Sequence, residues 1–106
     1  MTAVVNCAWV SADLTAWHTD PFMSEGRHSH TWVVTVFWPV TPWRDGRVMR
    51  QALSTILAAW EGRDLPPELW SQESLAATIL ALMGNGDVRG VRVERADFPS
   101  GCELWR

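Results

Sequence analysis

The chain has no tyrosine, no lysine, two cysteines and no apolar run approaching a membrane span. Without lysine all nine basic residues are arginines, and they are scattered rather than clustered, so no stripe of charge follows a phosphate backbone. With a net charge of −3, nucleic acid is not an expected partner. The two cysteines, Cys7 and Cys102, lie near opposite ends and do not make a disulfide framework, which points to a reducing, cytoplasmic setting. A bilayer span needs about 20 apolar residues, and a leader needs a basic stretch followed by an apolar one. Neither pattern occurs, so no membrane association is expected.

What is present is apolar mass: 47% hydrophobic residues and eight tryptophans in a chain of 106, enough for one globular domain with one core. Indoles on this scale suit a core, a subunit interface or a pocket for a flat ligand. From Ala3 to about Asp13 the sequence reads as a first strand, and Thr15 to Arg27 as a loop carrying Pro21 and Gly26. Thr31 to Trp38 alternates: Trp32, Val34, Val36 and Trp38 share one face and Thr31, Val33, Thr35 and Phe37 the other. Both faces are largely apolar, so both are expected to be covered.

After Pro39, Pro42 and the Asp45-Gly46 turn the period changes. Val48, Met49, Ala52, Leu53, Ile56, Leu57 and Trp60 fall on one helical face. Ser71 is the expected N-cap of a second helix, with Glu73 in its first turn, a buried stripe of Leu75, Ala76, Ile79, Leu80 and Met83, and Gly84 as its end. Val88 to Ala96 alternates again with Val91 and Val93 inward, and Glu103 to Arg106 reads as a last strand. The order strand, strand, helix, helix, strand, strand predicts an α+β domain: a four-stranded antiparallel sheet with two helices on one face. The other face then needs a cover, which a second copy of the chain would supply.

His28 and His30 stand two apart at the mouth of the second strand, so their imidazoles point to one side. They are either exposed polar residues or two ligands of a metal whose third ligand comes from elsewhere, His18 and Asp13 being nearest.

Taken in order, "RHSHTW", "DGRVM" before a helix, "SQESLA" opening a helix, "VRVER" and "SGCELW" resemble the 6-pyruvoyl-tetrahydropterin synthase and 6-carboxy-tetrahydropterin synthase family over about Trp9 to Trp105. The resemblance implies a tunnelling fold, in which trimerisation joins sheets into a barrel and two trimers often stack into a hexamer. It also implies active sites between subunits, a Zn ion on three histidines, and a glutamate on the third strand that anchors a pterin ring. Carried over residue by residue, His28 and His30 match the family's His-Gly-His pair with Ser29 in place of glycine, and a gapless alignment puts Asp13 where the third histidine stands. Ser24 then replaces the catalytic cysteine, and Glu61 and Gly62 replace the Asp-His dyad, with His18 either a substitute acid or base or a surface loop residue. Glu94 falls on the pterin-anchoring position, followed by Arg95 where the family has threonine; read without the family, Glu94 is an outward strand residue beside Arg92 and Arg95. Cys102 matches a structural "GC". Trp9 and Trp17 are the indoles placed to stack on a bicyclic ring, while Trp60, Trp32 and Trp38 read as core or interface.

A serine is less acidic than a thiol, and a glycine carries no proton, so the usual relay is dismantled. The expectation is a divergent homotrimer or homohexamer that binds a pterin or similar heterocycle with little standard synthase activity, its residual chemistry being of lyase or cyclase type. The competing expectation is a ligand-binding or scaffolding module without turnover.

Overall fold

A computed structural model describes residues 6–22, 26–40, 43–83 and 87–106. The elements follow as β1 (Cys7–Thr19), β2 (Arg27–Pro39), α1 (Gly46–Ala58), a 3-10 turn (Pro67–Leu69), α2 (Gln72–Leu82), β3 (Gly90–Arg95) and β4 (Gly101–Trp105). The four strands form one antiparallel sheet in the order β1-β2-β3-β4.

The β1–β2 hairpin dominates the molecule, with pairing from Cys7 opposite Pro39 to Thr19 opposite Arg27. β1 is therefore longer than the sequence reading, which stopped it near Asp13. The cause is that alternation continues: Ala12, Leu14 and Ala16 are buried while Asp13 and Thr15 between them are exposed. The expected loop from Thr15 to Arg27 shrinks accordingly. On β2 the predicted inward set, Trp32, Val34, Val36 and Trp38, is buried, and so are Val91 and Val93 of β3. Their neighbours in the same cluster are Met49, Leu53 and Leu57 of α1 and Leu75, Ala76, Ile79 and Leu80 of α2, so both helices cover one face of the sheet.

Helix α1 starts at Gly46, two residues before the predicted stripe, because the Asp45 carboxylate accepts the Arg47 backbone N–H at 2.8 Å and caps the first turn. Its buried stripe is narrower than expected, since Val48 and Ala52 face solvent. Helix α2 begins at its predicted cap: the Ser71 hydroxyl accepts the Ser74 N–H at 3.1 Å, and the Ser74 hydroxyl returns a capping-box bond. The predicted end at Gly84 lies outside the described residues.

Among the described residues, no helix packs on the other sheet face. There Ser11 and Thr35 share a hydroxyl hydrogen bond of 2.7 Å, Phe37 stacks on Trp105 at 4.8 Å between centroids, and Trp9 is 63% exposed. The outer edge of β1 is half covered by the chain leaving α1: Gly62 N–H donates to the Thr15 carbonyl, Trp17 N–H to that of Arg63, and Leu65 N–H to that of Trp17.

Candidate metal centre

Strand register builds the site. His18 on β1 lies directly opposite His28 on β2, and His30 is two residues further along the same face. All three leave the sheet on the helix-covered side, His30 one rung beyond the last apolar pair, Leu14 and Trp32, and His18 and His28 two rungs beyond it, so the core ends in imidazoles. Their ring centroids form a nearly equilateral triangle of 4.5, 4.7 and 4.9 Å, and one ligand nitrogen from each lies within 4.8 Å of the others. Beneath them Trp32, only 1% exposed, meets His18 and His30 edge-on at 5.4 and 5.5 Å. This indole floor fixes the rings from below.

Backbone carbonyls fix the tautomers. Nδ1 of His18 lies 2.7 Å from the carbonyl oxygen of Trp70, and Nδ1 of His28 lies 2.8 Å from that of Gly26. A carbonyl only accepts, so both Nδ1 atoms carry hydrogen and both Nε2 atoms present lone pairs when the rings are neutral. Those two Nε2 atoms are 3.0 Å apart. Two lone pairs aimed at each other repel, and a cation or a shared proton between them removes the repulsion. For His30, burial first, then the positive charge of Arg95 and of the neighbouring histidines, pushes the imidazole below its ordinary pKa, with a small opposing pull from Asp97. The ring therefore stays neutral, the form that ligates, down to lower pH than a free histidine.

The donor set is one that can hold a metal ion. It comprises three imidazole nitrogens, two of them oriented by carbonyls in the way metal-bound histidines commonly are. The three rings border a cavity of about 400 Å³ lined also by Asp20, Trp70, Gln72, Glu73, Arg95 and Ser100.

The other expected site residues are dispersed. Asp13 lies apart from the histidines: it pairs with Val33 and is exposed on the opposite face of β1, because an odd residue cannot join the even-numbered set. His18 is the residue that stands beside His28 and His30, as the penultimate residue of β1 rather than a loop residue. Ser24 lies outside the described residues. The Glu61 carboxylate accepts the Thr15 backbone N–H at 3.0 Å, outside the histidine cavity, so it caps the β1 edge. Gly62 turns there with φ +70°, a conformation that favours glycine.

Glu94 sits opposite Val33 and Gly101, on the strand face away from the histidines, and lines an adjoining pocket with Arg92, Gly101 and Glu103, with Arg95 and Ser100 bordering both this pocket and the histidine cavity. Cys102 is half-buried against the core, and burial pushes its thiol pKa up. Trp17 lies under the Arg27 guanidinium at 4.1 Å on the open face, and Trp9 is on that face too. The indoles lining the histidine cavity are instead Trp32 and Trp70. Sequence reasoning passed over Trp70, Gln72 and Ser100, which no local pattern marks. His18 did have a signal, since Ala12, Leu14, Ala16 and His18 continue one alternation. No helix among the described residues is long and apolar enough to cross a membrane. No family model matches the chain, and no curated protein matches it.

Proposed function

We propose that the protein is a zinc-binding, divergent relative of the pterin synthases that holds a pterin or similar small heterocycle over its three-histidine centre. The observation that carries this reading is the pair of bare Nε2 lone pairs 3.0 Å apart, each oriented by a backbone carbonyl, with a third neutral imidazole beside them. Bound zinc would polarise a ligand oxygen as a Lewis acid. The chain's own part is to hold three imidazole rings in place, floor the site with Trp32 and admit ligand from the Trp70 and Arg95 side.

Proton transfer is the weak part of the site. Glu61 is engaged at the β1 edge and Gly62 has no side chain to carry a proton. Turnover of dihydroneopterin triphosphate is therefore expected to be slow or absent, with lyase or cyclase chemistry on another ligand as the catalytic form of the proposal. A contact from Glu94 to a heterocycle needs a neighbouring protomer, since this residue faces away from its own chain's histidines. The uncovered face with Trp9, Phe37 and Trp105 supports an assembly in which sheets meet, and a homotrimer with the tunnelling fold, or a hexamer of two trimers, is the arrangement proposed.

The test is metal analysis with mass determination in solution. One zinc per chain, retained in Asp13→Ala and lost in His18→Ala, is expected, in particles of three or six chains. A metal content unchanged by His18→Ala overturns the site, and a monodisperse monomer overturns the assembly. The alternative of a ligand-holding module is favoured if zinc is bound and no pterin substrate is turned over.

A further inference from the structure

We propose that Arg95 makes the histidine cavity a receptor for a carboxylate-bearing ligand, with the carboxylate on the guanidinium and a neighbouring oxygen of the same molecule facing the imidazoles. This rests on the metal reading above and narrows it to a ligand class.

Strand pairing supplies the first argument. Arg95 ends β3 directly opposite Trp32, on the helix-covered face, so His30 is its diagonal neighbour, about 7–8 Å away along the sheet. Val91 and Val93 precede it on the same face, and with Arg95 that buried row turns cationic one same-face rung before β2 turns to His30 and two before His18 meets His28. Among the described residues Arg95 is the cationic side chain, apart from the histidines, that lines the cavity.

The second argument is the geometry of the guanidinium itself. Its Nε donates to one Asp97 carboxylate oxygen at 3.1 Å and its terminal nitrogen to the other at 3.0 Å, the two-point fork that recognises a planar carboxylate. The Asp97 side chain is 63% exposed while that of Arg95 is 30% exposed. The fork is thus held in carboxylate-binding form by a surface group that a ligand can replace. Arg95 also packs against Phe98, its guanidinium carbon 5.5 Å from the ring centroid, which limits its swing. The third argument is a hydroxyl on the same wall. Gln72 Nε2 donates to Ser100 Oγ at 3.2 Å, leaving the Ser100 hydroxyl proton for another acceptor. Of the acidic groups in the cavity, Asp20 accepts the Phe22 backbone N–H at 2.8 Å and Glu73 is exposed in the first turn of α2. The ion pair Arg95 makes is with Asp97.

The probe is glycolate, with uncharged glycolamide as its control and inorganic phosphate as a second anion, titrated into the full chain loaded with Co²⁺ and read by the visible absorption of the ion and by calorimetry. Glycolate is expected to bind at least about tenfold tighter than glycolamide, corresponding to about 1.4 kcal/mol. In Arg95→Gln that preference should vanish while Co²⁺ stoichiometry stays at the wild-type level, and Arg95→Lys should keep part of it. A glycolate preference that survives in Arg95→Gln means that the ion alone selects the anion, and it overturns the proposal. Phosphate binding tighter than glycolate overturns the carboxylate assignment. Failure of the wild-type chain to take up Co²⁺ removes the metal reading and this one with it, whereas uptake without a glycolate preference removes this one alone.

Discussion

The two faces of the β1–β2 hairpin are made from the same thirteen-residue strands yet do opposite things. On the helix-covered face, paired side chains are apolar from the middle outward and then, at one end, His18 meets His28. On the open face polar and aromatic groups mix along the whole length: Ser11 with Thr35, Thr15 with Thr31, Trp17 under Arg27. A single shift in residue number moves a side chain from one environment to the other. Chemistry in this fold is therefore assigned by parity, and a candidate residue of the wrong parity is excluded however suitable its functional group.

The sharpest way to break this contrast is to remove one histidine and compare it with the nearest carboxylate of opposite parity. His18→Ala should weaken zinc binding by more than about a hundredfold, beyond the usual effect of losing an outer partner, whereas Asp13→Ala should leave it unchanged. Competition with a chromogenic chelator measures both. Next in size is a core contrast. Leu14→Ala, on a fully buried site, should cost about 2–5 kcal/mol in urea unfolding, and Val33→Ala on the open face well under half of that. Equal losses would mean that the open face is as well covered as the helical one. Smaller again is the α2 cap: Ser71→Ala should cost about 1 kcal/mol. Because Ser71 also borders the cavity, its zinc affinity should be followed alongside, and it should not move.

The smallest effect expected is a pH dependence of the metal-free chain. His30 has its folded pKa below the value it takes when unfolded. Above both values neither state holds a proton there; between them the unfolded chain is protonated and the folded one is not, so acidification favours unfolding. The urea midpoint should fall as pH drops through the ordinary imidazole range near about 6.5, and His30→Gln should flatten that slope. A midpoint that rises on acidification would mean that His30 gains a negative partner instead.

Much of the fold was legible because burial imposes period. The alternation of Trp32, Val34, Val36 and Trp38, the helical stripes, and the Ser71 cap each repeat a local rule that the structure follows. Strand ends were less legible: Asp13 and Thr15 resemble a loop, and only pairing with β2 shows them to be the exposed half of a continuing strand. The histidine pair was readable from spacing, and its neighbour was narrowed to His18 or Asp13, the choice between them depending on hairpin register. Gapless counting placed Asp13 there because it assumes a loop of fixed length, whereas the parity of β1 admits only an even-numbered residue. Trp70 and the turn from Arg95 to Ser100 reach the cavity from two separate segments, and their convergence is a tertiary fact with no sequence period.

The segment from Gly62 to Leu65 zips onto the Thr15 to Trp17 part of the β1 margin, and the Arg50 guanidinium of α1 takes the Ser11 carbonyl further along at 3.1 Å. Unpaired backbone groups along a strand margin are a template for unwanted pairing with other chains, and occupying them from within the same chain blunts that hazard.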